Sequence, residues 1–505
     1  MKRFSIFVIC LFCFSRPGHA QKMTISEYNK KDSRDINFEI LGKFDGHFLI
    51  YKNVVRKHMI TKYDQDMRII ETIPLDFMPE RTINVDFVSY PDYIYLIYQY
   101  QKNSIVYCNG VKIGANGKKL TEPTLLDTTK IGFFADNKIY TTTYSEDKQK
   151  ILLYKRNLKY ENLTIATKLF NADLALLDST RQFIHFDERK EVYSDLFVDN
   201  SGTFIFAKET RKSAWDNASF LDIIIRREKA DSFKTYSVSL EKKYIEEVGI
   251  KIDNLNRNYI VNSFYYGSRR GSVEGLFTCL IDMNGSKPVK TAFNVFADSL
   301  RVRINSTDQY KFVFDNLTVR NIIVKKSGGF IIAAEDFYTE TLNANNAWNR
   351  NYYYNSLPYS SVNDYYLSSP YYYGYRPWNS FGRELSVRYY YDDVVVASID
   401  SSLKLEWNSL IHKKQYDVDN DNFLSYSIMN TGGELHFLFV DKDIQKQIIS
   451  NHSVSTNGEV KRYATLKSNE NGYSFMPRLA RQVGSRQMIV PFLYLSRVGF
   501  AKIDF

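Results

Sequence analysis

The chain has 505 residues and a formal charge of +10, with 44% hydrophobic and 25% charged residues. Of the four cysteines two lie within the first 20 residues, and the two left, Cys108 and Cys279, are too few for a disulfide framework; the spread of Lys and Arg in pairs such as Arg226-Arg227 and Lys242-Lys243 excludes the basic runs of a nucleic-acid footprint. After the first residues no segment approaches the ~20 uninterrupted apolar residues a membrane helix needs.

Taken in chain order, the first element is a signal sequence. Lys2 and Arg3 precede an apolar stretch from Phe4 to Phe14, and small residues stand at Gly18 and Ala20. This predicts a secretory signal peptide over residues 1–20, cleaved before Gln21. Neither Cys10 nor Cys13 follows the small residue a lipoprotein cleavage site requires, so no lipid anchor is expected. Losing Lys2, Arg3 and Arg16 takes the charge from +10 to +7. That surplus supports at most mild affinity for anionic polysaccharide or lipid headgroups, and hence a peripheral envelope association. The remaining Cys108 and Cys279 sit in different repeats and read as small buried hydrophobes in preference to a bridge.

From residue 46 onward a signature recurs: a small or polar turn residue followed by a short apolar run. It stands at Gly46-His47-Phe48-Leu49-Ile50, Asp92-Tyr93-Ile94-Tyr95-Leu96, Asn137-Lys138-Ile139-Tyr140, Gly202-Thr203-Phe204-Ile205-Phe206, Asn258-Tyr259-Ile260-Val261, Gly329-Phe330-Ile331-Ile332, Gly433-Glu434-Leu435-His436-Phe437 and Arg486-Gln487-Met488-Ile489-Val490. Strand, polar turn and strand recur around Asp64, Asn284-Gly285, Asp400 and Asn457-Gly458, and further Asn-Gly pairs at 109, 116 and 471 suit hairpin turns. Runs such as Asp393-Val394-Val395-Val396-Ala397 are apolar on both faces, as strands between two neighbouring sheets must be. The best helix candidate covers Leu174 to Asp187. The chain stops part-way through a repeat at Phe505, so an N-terminal strand within Ile36 to Leu41 is expected to complete the last sheet.

These repeats resemble β-propeller proteins over nearly the whole of residues 21–505. The resemblance implies one all-β propeller of seven or eight four-stranded blades. The runner-up fold is an outer-membrane β-barrel, which an exported chain ending in Phe suggests but which needs longer, alternating strands. No subfamily signature is met: the WD dipeptide, a kelch double glycine and the sialidase box are all missing, so no catalytic residues carry over.

Four features bear on chemistry. The segment 341–386 is an insertion rich in Tyr, Asn and Ser, with Arg350, Asp364 and Arg376 its only charges up to Ser380. Trp348, Tyr371, Tyr372, Tyr373 and Trp378 are its candidate ligand-binding residues, because stiff amphipathic rings among adaptable polar groups suit a glycan or protein surface. Glu335-Asp336 and Asp392-Asp393 bracket the insertion and are the candidate catalytic carboxyls, a pair of which could act as acid and base in glycoside hydrolysis. Asp417, Asp419 and Asp421 alternate like the start of a calcium loop, but Asn422 and Ile428 stand where Gly and Glu are wanted. Calcium is the one cofactor this suggests. No zinc spacing, nucleophile elbow, P-loop or dinucleotide fingerprint occurs.

The leading expectation is therefore an exported, non-enzymatic binding or scaffold propeller that contacts a protein or glycan through one loop-rich face. It would sit in the periplasm, on the cell surface or outside the cell. A polysaccharide-active hydrolase or lyase using acids near the central channel is the alternative from another class, and a structural component of a cell-envelope assembly is the third.

Overall fold

The computed structural model describes residues 21–27, 37–132, 138–159, 161–213, 216–269, 271–285, 289–296, 316–341, 387–418, 420–443, 446–466 and 472–505. Its strands form seven antiparallel sheets, and the nine-stranded one holds two repeats joined at a single pair, Ala218 with Ile245. Among the described residues there are thus eight repeats built on four strands, three of them with one extra short strand, and these are the blades of a β-propeller. Blade one runs Asn37–Phe44, His47–Val54, Lys57–Tyr63 and Ile69–Pro74 as an up-and-down meander, and the others repeat it.

The doubly apolar runs explain the stacking. In blade six Ile332 and Ala334 pack toward blade five, while Ala333 between them packs toward blade seven. Eight apolar clusters result, each between consecutive blades. One of them joins Phe48 and Ile50 of blade one to Ile489 and Phe500 of blade eight, so the ring is closed. Burying each large side chain on these seams contributes roughly 1.5–3 kcal/mol, which no single sheet could gain alone. First strands touch first strands: Asn37–Phe44 meets both Asn84–Ser89 and Arg481–Gly484, and Tyr244–Asp253 meets Leu317–Val324. They therefore surround the axis. Separate stacked sheets replace the alternative expectation of one lipid-facing cylinder.

Seven of the eight signature runs fall on the second strand of a blade. The exception is Lys138-Ile139-Tyr140, which precedes the first strand of blade three; its second strand is Lys150–Lys159. The helix expected over Leu174 to Asp187 is instead the outer strand Leu176–His185, whose exposure alternates along its length. An edge strand shows water one face and carries polar residues there, which blurs its period. Ring closure also differs in detail. The last sheet is completed by Lys22–Ile25, paired with Arg497–Asp504 from Lys22 opposite Asp504 to Ile25 opposite Ala501. The segment expected to do this opens blade one instead. Among the Asn-Gly pairs, Gly117, Gly285 and Gly458 do turn with positive φ, whereas Asn109-Gly110 lies inside the strand Ile105–Gly114. Cys108 and Cys279 are buried and unbridged. No helix among the described residues is long and apolar enough to cross a membrane.

Because every blade is a meander, the starts of first and third strands share one face of the ring with the ends of second and fourth strands. In blade six the second strand ends at Thr341 and the third begins at Val387 on that face.

Candidate functional site: the acidic root of the blade-six hairpin

The second and third strands of blade six are Phe330–Thr341 and Val387–Ile399, and they carry the insertion at their far ends. Their register runs evenly to Glu335 opposite Val394, then shifts so that the next pair is Phe337 with Tyr391. One residue, Asp336, therefore faces two, Asp392 and Asp393. Such a bulge re-aims side chains that strict alternation would send to opposite faces. A second shift, between first and second strands, leaves Arg320 as the extra residue between Val319 and Asn321. Two local irregularities thus bring the four sequence-predicted carboxyls together with an arginine.

Glu335 has no exposed surface. Lys413 Nζ lies 2.7 Å from its Oε1, a charge contact without aligned hydrogen-bond geometry, and Arg320 Nε lies 3.3 Å from Oε2. The Ser425 hydroxyl donates to the same Oε2 at 2.6 Å. Lys413 is itself buried and donates to the Tyr391 carbonyl at 2.7 Å and to Gln415 Oε1 at 3.1 Å. Gln415 ties the group onward by donating to the Val440 carbonyl of blade seven at 2.7 Å. Asp392 accepts the Gln415 backbone N–H, and Asp393 accepts that of Lys413 while facing His412 Nδ1 at 3.4 Å.

Asp336 differs from all of these. It is fully buried and neither of its oxygens has a hydrogen-bond partner. Burial first, then the nearby charges of Asp392 and Asp393, push its carboxyl well above the usual range, with Lys413 pulling the other way. Burial likewise raises Asp392 to about 6 against the pull of Lys413, and raises Asp393 against that of His412.

The calcium candidates are not brought together as ligands. Burial works against ionising Asp421, but Arg478 from blade eight grips it with two bonds of 2.6 and 3.0 Å and the Tyr391 hydroxyl adds a third at 2.8 Å, so its carboxyl is held below the ordinary value. Asp417 accepts the neighbouring Val418 N–H from an edge strand, Gln415–Val418, and Asp419 lies outside the described residues. Among the described residues no group of three or more His, Cys, Asp or Glu could hold a metal ion. Trp348, Tyr371, Tyr372, Tyr373 and Trp378 also lie outside the described residues.

Sequence reading missed Arg320, Lys413, Gln415, Ser425 and Arg478. Nothing local marks them: each sits one to two strands, or two blades, from the acid it serves. It also missed buried acids on the same face in other blades, Glu209, raised by burial to about 7 against Arg211, and Glu39, paired with Arg481 at 3.1 Å across the blade-one and blade-eight seam.

No protein-family model matches the chain, and no curated protein matches it by sequence. By structure it is similar to the WD40 domain of SCAP from fission yeast, with a TM-score of 0.39, 8% identity and 96% of each chain covered. It is also similar to prolyl oligopeptidase B from Galerina marginata, with a TM-score of 0.39, 8% identity and 92% of this chain covered; it spans about half, 56%, of that one. Polysaccharide lyase Uly1 gives 0.39 and 9%, with 83% and 89% covered. None of these likenesses carries over an activity.

Proposed function

We propose that the protein is an exported binding propeller that engages a protein or glycan through the face from which residues 341–386 spring. One observation carries this reading: the carboxyls that bracket the insertion are sealed in, with Glu335 and Asp336 at 0% exposure and Glu335 neutralised by Lys413 and Arg320. A group that performs acid–base catalysis must reach its substrate. Groups placed like these serve better as the rigid seat of a recognition loop, since a site gains precision when its supporting shell is locked. The test is to replace Tyr371, Tyr372, Tyr373 and Trp378 by Ser and probe a glycan array and an envelope-extract pull-down. Binding is expected to vanish with circular dichroism unchanged; retained binding would reject the assignment.

A hydrolase or lyase remains the second reading, favoured by one specific feature. Asp393 orients an imidazole, His412, whose side chain is 57% exposed, next to an Asp392 raised to about 6. Glycan turnover by purified protein, lost in Asp392→Asn or Asp393→Asn, would establish it.

A further inference from the structure

The charges at the root of the blade-six hairpin do not balance. Asp336 is faced by Glu335 on its own strand and by Asp392 and Asp393 on the third strand. Among the described residues the cations in contact with the cluster are Arg320 from the first strand, Lys413 from the link beyond the fourth strand, and His412 when protonated. Arg320 and Lys413 contact Glu335, and His412 contacts Asp393. Lys414 acts on Asp392 from farther off, and Glu247 of blade five faces Arg320. Asp421 is matched by Arg478 and the Tyr391 hydroxyl, with Arg320 adding to its stabilisation. Among the described residues no cation is left that contacts Asp336, both of whose oxygens are buried without a hydrogen-bond partner. An ion so placed is far costlier than a neutral carboxyl.

Position gives this proton leverage. Asp336 is the last residue of its strand in register with the first strand, opposite Leu317. Beyond it, Phe337–Thr341 are in register only with the third strand, from Tyr391 to Val387, and Arg388–Tyr391 pair in turn with the edge strand Gln415–Val418. The carboxyl sits where the blade ends and the insertion-bearing extension begins.

We propose that Asp336 carries a proton in the folded protein, and that this proton latches the extension Phe337–Thr341 and Val387–Tyr391 onto the blade. Losing it adds a negative charge among Glu335, Asp392 and Asp393 and unseats the extension. The direction follows from a carboxyl that releases its proton less readily folded than unfolded. Its contribution to stability is complete below the unfolded value and is lost as pH rises through the folded one, so alkali opens the latch and acid does not. The consequence for ligand capture rests on the function proposed above; the titration does not, and it is read without any ligand.

The experiment uses the chain from Gln21 to Phe505, wild type and Asp336→Asn, and follows amide hydrogen-exchange protection of the extension from about pH 6 to about pH 10, corrected for intrinsic exchange. Asn keeps the shape and cannot ionise, so the difference between the proteins isolates Asp336 from other groups that titrate in alkali. Up to the folded pKa, wild-type protection should fall by up to about tenfold per pH unit relative to the variant, and above it the difference should level off. Parallel profiles overturn the proposal. Should the variant fail to fold, infrared spectra of wild type labelled at the aspartate carboxyl carbon decide at about pH 8, where Asp392 has ionised. A protonated-carboxyl band that vanishes in stronger alkali supports the latch, and its absence at about pH 8 overturns it.

Discussion

Aspartates stand near strand ends on both faces of the ring, and the two faces treat them in opposite ways. On the face away from the insertion, Asp64 accepts the N–H groups of Asp66 and Arg68, and Asp400 accepts those of Ser402 and Lys404, all at 2.8 Å. These acids are served by their own turns, and the Lys404 amide is the foremost cause that holds Asp400 below its ordinary pKa. On the insertion face, Glu335, Asp392 and Asp421 depend on partners from other strands and blades, and Asp336 has none. The lesson is one of range. A turn acid stabilises the element that made it, whereas the root acids couple blades six, seven and eight around one hairpin.

Breaking the long-range set should therefore cost most. Lys413→Met removes one cation of a buried pair and leaves Glu335 short of charge, which predicts a loss of about 3–5 kcal/mol by chemical denaturation. Arg478→Ala strips Asp421 of two charged hydrogen bonds at a less buried site, and the same assay should show about 2 kcal/mol. At the local end, Asp400→Ala should lower Tm by only about 1 °C, because the turn keeps its backbone bonds and water replaces the carboxylate. If Asp400→Ala costs as much as Lys413→Met, the distinction between the faces fails.

pH sharpens the comparison within the root itself. Asp421 is held below its ordinary value, so its contribution is in place above the unfolded pKa and is lost as pH falls through the folded one. Asp392 has the opposite sign: raised to about 6, it favours the fold below the ordinary carboxylate value and that support fades as pH rises through about 6. Stability against pH should lose its acid limb in Arg478→Ala and flatten near pH 6 in Asp392→Asn, and profiles unchanged by either variant would contradict the assignments.

The same difference in range explains what was legible in the sequence. The apolar runs, the tight turns at Asn116-Gly117, Asn284-Gly285 and Asn457-Gly458, and the need for an N-terminal closing strand were readable because their causes lie within a few residues or at a chain end. Leu176–His185 was not, because its polar face hides a strand's period. Glu335-Asp336 and Asp392-Asp393 were marked by their position around the insertion, yet their chemistry was not. Spacing along the chain says nothing of the two register shifts that gather them, nor of Lys413 arriving from 78 positions beyond Glu335, nor of Arg478 reaching Asp421 from 57 positions away.

Whether those acids seat a recognition loop or perform a reaction is decided most directly by measuring capture and turnover on one set of envelope glycans, for the wild type and Asp392→Asn side by side. The account predicts that both proteins capture the same glycans and release no sugar. Sugar released by the wild type and not by the variant would contradict it.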